Sequence, residues 1–434
     1  MSDYLNDAWN SLFKKYSILE KVTMNGSFII SADMIREFRE PRLMTKFDYS
    51  ESMPTVFQNN KLSIMPIKRN EYIISNHQMF HRLNSTIMSL DQVNLPKYIA
   101  SIDSKNITSE AIALNCSYIT GILEDFTGDI HIYPTVSGRM SSKSFEFGIK
   151  NGLTKNQDVV QVDNSQIEID GAYEGEKYLT LVEAKKSINK DFLIRQLYYP
   201  LRLWTDKINK PIKVVFLTHS NSIFSLYEYK FRDLDDYNSL ELTKTKHYSL
   251  EDVIIKKEDV MQIINKIKLV NEPKVPFPQA DDMRKVINLC EVLQTEPLSI
   301  REITDEYDFV VRQANYYSDA AMYLGLVKKS TRDKEIIYEL TNMGKDMLAL
   351  PFIQRQLFLV ERILEHKVFF EALNKSLELA RQLSTSEIVD IMLNNDLYEL
   401  GKKIRQDGIV SSTYPRRAST IKQWLLWIDL IVYK

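Results

Sequence analysis

The chain has 434 residues, 44% of them hydrophobic, so it can bury proper cores and should divide into roughly two to four domains. Its 56 Lys and Arg against 58 Asp and Glu leave a net charge of −2, so any affinity for nucleic acid has to come from local patches. Two cysteines far apart in sequence, Cys116 and Cys290, argue against a disulfide scaffold or a zinc finger, and the absence of a leader-like or membrane-length apolar run predicts a cytoplasmic protein that does not enter a membrane.

Residues 1–100 read as an α/β module. Within it, Arg39, Arg42 and Lys46 fall on one short segment, a disposition suited to phosphates or guanine edges and equally to ordinary pairing with Glu in a loop. His77 and His81 have the i, i+4 spacing of a metal-binding helix, but Gln78 stands where a zinc protease needs its Glu, and the pair reads as structural. The run from Thr108 to Asp125 predicts a helix capped by Thr108 or Ser109, with Glu110 in its first turn, where the dipole alone favours an acid. Arg139 and Lys143, among glycine and hydroxyls before Phe145, suit either phosphate contacts or a solvated turn.

Residues 167–185 are the most informative stretch. Ile167-Glu168-Ile169-Asp170, a turn at Glu174-Gly175-Glu176, and Leu179-Thr180-Leu181-Val182-Glu183-Ala184-Lys185 predict a hairpin. Alternation puts Glu183 and Lys185 on one face of the second strand, and Glu168 and Asp170 on one face of the first. The second strand is otherwise apolar on both faces, as a central strand should be, so charge at its end needs a chemical reason. Metal-assisted phosphodiester hydrolysis supplies one: two hard oxygen ligands, Asp170 and Glu183, hold Mg²⁺ beside the phosphate, and the Lys185 ammonium orients or activates water. The alternative is a solvent-facing Glu/Lys pair on an edge strand.

Ile169-Asp170, twelve residues, then Glu183-Ala184-Lys185 resembles the PD-(D/E)XK nuclease motif, with Ile in place of its Pro. The resemblance implies a restriction-endonuclease-like α/β core, a mixed central sheet flanked by helices. It implies catalytic Asp170, Glu183 and Lys185, metal ligation by Asp170 and Glu183 with Glu168 and Glu110 as further candidates, and a supporting Gln196 on the next helix. That helix is expected from Phe192 onward, packing Leu193, Leu197, Leu201 and Trp204 inward, and Ile212–Leu217 should be the next buried strand. The runs 39–48, 53–57, 62–67 and 71–74 resemble an N-terminal region of a group of type II restriction endonucleases.

Asn271-Glu-Pro-Lys-Val-Pro-Phe-Pro278 reads as a linker because its prolines block regular structure. Beyond it, three helices (Met283–Leu293, Ser299–Tyr307, Val311–Leu324) and a hairpin through Lys328-Lys329 to Leu340 match the winged-helix pattern, whose third helix offers Arg312, Gln313 and Asn315 to DNA. Such modules also bind proteins. A second winged-helix-like unit closes the chain, ending in a helix with the apolar seam Ile421, Trp424, Leu425, Ile428 and with Arg416, Arg417, Thr420 and Lys422 toward its N-terminal end. The last segment also resembles the C-terminal winged helix of some restriction enzymes.

The expected layout is therefore a 1–100 module, a 101–270 nuclease core, a 281–350 winged helix and a 351–434 recognition domain. The resemblance, strongest over 39–74 and 165–200, implies a type II restriction endonuclease cutting double-stranded DNA with Mg²⁺, for which Mn²⁺ can substitute. It also implies a separate cognate DNA methyltransferase, since no Asn/Asp-Pro-Pro-Tyr-like tetrapeptide is present, and leaves a homodimer open. The chain has no phosphate loop or Gly-rich cofactor fingerprint, no repeats and no low-complexity tract. Two other classes fit the sequence: a repair or phage-defence nuclease without fixed specificity, and a non-catalytic winged-helix DNA-binding protein.

Overall fold

The computed structural model describes residues 3–84, 87, 89–104, 107–187, 189–306, 311–395, 397 and 412–432. The chain forms two compact units: one holds residues 1–103, 107–219 and 223–248, the other 104–106, 220–222 and 249–434. No helix among the described residues is long and apolar enough to cross a membrane.

The first unit is mixed α/β. Its main sheet has seven strands in the order Asp91–Gln92, Leu240–Ser249, Ile223–Phe231, Ile212–Ser220, Leu179–Lys185, Gln166–Glu174 and Tyr133–Ser141. Leu179–Lys185 lies inside this sheet, antiparallel to Gln166–Glu174 and parallel to Ile212–Ser220, and every one of its residues is buried. That accounts for its unbroken apolar character. The hairpin expected at 167–185 is present, its turn tied down by Asp129, whose carboxylate accepts the Lys177 and Tyr178 N–H groups at 3.1 and 2.9 Å.

Local chemistry redraws several sequence boundaries. The helix expected over 108–125 is two, Glu110–Ile119 and Ile122–Thr127, because Gly121 adopts φ +75° between them. Ser109 caps the first, accepting from the Ile112 N–H at 3.1 Å. The segment 138–143 is no turn: up to Ser141 it belongs to the exposed edge strand of the main sheet. Phe192 and Leu193 are not helical but belong to Asp191–Leu193, which pairs with Phe80–Arg82; the helix runs Arg195–Thr205. The helix keeps Leu197 and Leu201 buried and Trp204 half-buried, and Leu193 is buried from its strand.

The N-terminal residues pack a core of their own around Trp9, Phe13 and Phe57, beside the antiparallel sheet Ser27–Ser31, Glu71–Ser75, Ser63–Lys68. His77 and His81 do not share a helix: His77 is buried beside Asp158 at 3.2 Å, and His81 lies on the Phe80–Arg82 strand.

The second unit is mostly helical around one continuous core. Helix Met283–Val292, strand Leu298–Ser299, helices Ile300–Glu306 and Val311–Tyr323, then strands Val327–Arg332 and Glu335–Leu340 follow in order. The three strands form one antiparallel sheet with Glu335–Leu340 in its middle. The segment before them is no free linker, since Phe277 and Ala280 are core residues and Tyr323 Oη donates to Glu272 at 3.1 Å. From Phe352 onward the described residues form the helices Phe352–Leu364, Lys367–Leu379, Thr385–Leu393 and Thr413–Ile431, with no strand pair among them. This region is therefore helical among the described residues, without the wing that the second winged-helix-like unit expected from the sequence would need.

Candidate active site

Backbone pairing in the hairpin stops at Gly171 and Val182. The next donor, the Ala184 N–H, goes instead to Asp170 Oδ2 at 2.9 Å, which holds the Asp170 carboxylate beside Glu183. Alternation sends Glu183 and Lys185 to the same face of their strand, where Lys185 Nζ lies 2.7 Å from Glu183 Oε1. Both residues are only 7% exposed, which excludes the solvent-facing pair of an edge strand.

A third acid, itself buried, completes the group, and the sequence reading did not single it out. Asp48 Oδ2 lies 3.5 Å from Lys185 Nζ, and Asp48 is 5% exposed. Its backbone is fixed from the strand that follows the E-A-K run: Leu193 N–H donates to Asp48 O at 3.0 Å, and Ser50 N–H donates to Asp191 Oδ1 at 3.0 Å. The only local hint in the sequence is the phase of Phe47-Asp48-Tyr49, an acid between two aromatic core residues.

Glu110 approaches from the first turn of its helix, which Lys186 holds by donating to Thr108 O. Burial raises the Glu110 carboxyl, as do Asp170 and Asp48, against the pull of Lys185 and Lys46. Burial also pushes Glu183 up to about 8; Lys185 opposes the rise while Asp170 and Asp48 add to it. Burial alone would lower Lys185, yet Glu183, Asp48, Tyr49 and Glu110 carry it well above the ordinary lysine range, so it stays an ammonium. Burial would raise Asp48, but Lys185, Lys46 and Arg195 hold it below its usual value. One cation is therefore shared among several crowded acids, and burial resists the ionised forms of Glu183 and Glu110 that a bound divalent cation would favour.

Among the described residues no three Asp, Glu, His or Cys side chains converge closely enough to hold a metal ion with protein ligands alone. Asp170 and Glu183 supply two hard oxygens, which suits Mg²⁺, an ion that keeps several waters and takes the rest from substrate phosphate. A cleft of about 330 Å³ opens beside Asp170, lined by Asn115, Thr135, Ser137 and Tyr173 among others.

The other residues named from sequence fall into three groups. Gln196 is brought to the site: it borders a small cavity with Glu183, and its Oε1 is buried without a hydrogen-bond partner. Lys46 stands at the rim, close enough to act on both Asp48 and Glu110. Glu168 is left outside, exposed and paired at 3.4 Å with Arg139 of the neighbouring edge strand. Arg42 is exposed, and Arg39 lies over the Tyr4 ring at 5.9 Å.

In the second unit, Gln313 and Asn315 are half-buried on the Val311–Tyr323 helix; the side chain of Arg312 is outside the described residues. Arg416 is exposed and Lys422 half-buried on Thr413–Ile431. Arg417 turns partly inward, its Nε buried without a partner and its guanidinium facing Tyr316 and Asp319. Thr420 corrects the sequence reading: it is fully buried and donates to Asp281 Oδ1 at 2.7 Å, while Ser419 donates to Oδ2 at 2.9 Å and Trp424 Nε1 to Ala280 O at 2.7 Å. Thr420 anchors the helix and presents nothing to solvent.

Three family models match the chain, each described as a domain of unknown function: DUF6996 over residues 6–74, DUF6997 over 75–249 and DUF7226 over 285–432. No curated protein and no solved structure matches it. The boundary between the first two matches runs through the first unit, so the acidic group draws Asp48 from one matched region and Glu110, Asp170, Glu183 and Lys185 from the other.

Proposed function

We propose that the chain is a type II restriction endonuclease, a Mg²⁺-dependent hydrolase of double-stranded DNA with a PD-(D/E)XK core. The observation that carries this reading is the convergence of half-buried Asp170 with buried Glu183 and Lys185 at the point where the hairpin strands stop pairing inside a mixed sheet. Burying Glu183 and Lys185 beside another carboxylate is costly unless the site uses them. When bound by Asp170 and Glu183, Mg²⁺ would supply Lewis-acid stabilisation of charge on the phosphate. Lys185 keeps its proton and serves as a fixed donor to a phosphate oxygen or an attacking water. Gln196 offers an amide oxygen beside Glu183, and the cleft at Asp170 gives the substrate strand room.

The order helix, strand, helix, helix and hairpin over 283–340, with its three-stranded sheet, supports reading this segment as a winged helix. Together with exposed Arg416 it is assigned to duplex recognition, and a cognate methyltransferase would be a separate protein. The test is a digest of unmethylated and methylated plasmid with Mg²⁺. Discrete fragments from the unmethylated DNA support the restriction enzyme, a smear supports a nuclease without fixed specificity, and binding without cutting removes the hydrolase.

A further inference from the structure

We propose that Asp48 is a positioning residue that receives the Lys185 ammonium when a divalent cation occupies Glu183. This rests on the metal-dependent reading above and adds a part to it.

Lys185 is shared unequally, at 2.7 Å from Glu183 and 3.5 Å from Asp48, and all three side chains are more than nine-tenths buried. An ammonium so close to Glu183 repels any cation entering on the same carboxylate. Water cannot take the displaced ammonium cheaply in so buried a place, so a second acid must. Asp48 is that acid. Closing from 3.5 Å to a charge-assisted distance of roughly 2.8 Å is a movement of under about 1 Å, well within the reach of a flexible lysine stem.

The acceptor is held in readiness. Leu193 N–H fixes the Asp48 carbonyl, and Asp191 fixes the next turn of chain through Ser50, so the segment that follows Lys185 in sequence also places its alternative partner. Lys46 and Arg195 face Asp48 as well and keep it a carboxylate. The regions matched by separate family models at 6–74 and 75–249 would on this account be parts of one site.

The experiment is a calorimetric Ca²⁺ titration of the full chain as wild type, Asp48→Asn, Asp48→Glu, Lys185→Met and Asp48→Asn/Lys185→Met, with thermal unfolding of each. Asp48→Asn should weaken Ca²⁺ binding about ten-fold, the scale on which groups supporting a metal ligand act. Asp48→Glu should restore most of it. Lys185→Met should bind Ca²⁺ more tightly than wild type, and adding Asp48→Asn to it should change affinity less than about two-fold. An equal loss from Asp48→Asn in both backgrounds would overturn the proposal, since Asp48 would then act by its own charge or as a ligand. No loss from Asp48→Asn in the wild-type background would overturn it too. Should Asp48→Asn not fold, the double variant against Lys185→Met decides, with equal affinity supporting the handover and a loss overturning it. A wild type that binds no Ca²⁺ sinks the metal-dependent reading and the handover together. One that binds with the expected pattern but cuts no DNA in Mg²⁺ removes the nuclease alone.

Discussion

At the scale of residues, side chains proposed to do chemistry should respond to substitution differently from those that hold them in place. Asp170→Ala, Glu183→Ala and Lys185→Ala should each lower DNA cleavage by orders of magnitude while leaving specific binding nearly intact, as gel-shift and cleavage assays on one duplex would measure. A Lys185 variant that cuts at the wild-type rate would mean that the site is misassigned. Lys185→Ala should also be the least stable of the three, because it leaves Glu183 and Asp48 buried without their shared cation, a loss on the order of 3–5 kcal/mol. At the hairpin turn, a Cβ at Gly175 would fall 2.5 Å from Asp129 Oδ2. Gly175→Ala should therefore displace the carboxylate that binds the turn, costing about 1–3 kcal/mol in urea unfolding, and Asp129→Ala should cost a similar amount. Wild-type midpoints in both would show that the turn needs neither.

Elements show what was legible in the sequence and what was not. The hairpin was legible because an apolar run ending in E-A-K is at odds with solvent and with a plain core strand alike. Asp48 was not, because its place is set by backbone contacts to residues more than 140 positions away, at Asp191 and Leu193, and no local pattern encodes them. The same contacts explain why Phe192 and Leu193 left the helix that their spacing suggested. Thr420 was misread for another reason: on a helical wheel a hydroxyl beside the apolar seam looks exposed, and only the long-range partner Asp281 makes its burial affordable. Arg416 and Arg417 read alike in sequence, yet the structure divides them. Arg416→Ala should weaken binding to the recognised duplex by roughly 1–3 kcal/mol if it reads a base, or weaken specific and scrambled duplexes equally if it meets phosphate. Titrations against both duplexes at two salt concentrations distinguish these, and unchanged affinity for both means that this helix does not face DNA. Arg417→Ala should instead lower the unfolding midpoint, through lost packing against the Tyr316 helix.

At the scale of the whole molecule, stability and activity should respond to pH and metal in separable ways. In the second unit, burial raises Glu272 to about 7 from 4.5, with the Tyr323 hydrogen bond opposing the rise. A raised carboxyl favours the folded state fully below about pH 4.5, and that contribution is lost as pH climbs through about 7. His366 beside Tyr323 works the other way: burial and Arg362 lower it to about 4, so its contribution is lost as pH falls below 6.5. Glu272→Gln isolates the first group, and its unfolding temperature should exceed that of the wild type at pH 8 and match it near pH 5. Equal temperatures at both pH values would show that Glu272 ionises freely. The first unit is one compact body in which the N-terminal residues, through Asp48, and the main sheet, through Glu183 and Lys185, contribute to one acidic group. The most direct test of that centre is cleavage of supercoiled plasmid by the wild-type chain in Mg²⁺, in Ca²⁺ and in excess EDTA. Linear or fragmented DNA in Mg²⁺, with binding but little or no cutting in Ca²⁺ and none in EDTA, is the predicted result; full cleavage in EDTA, or intact plasmid in Mg²⁺ and Mn²⁺ alike, would contradict it.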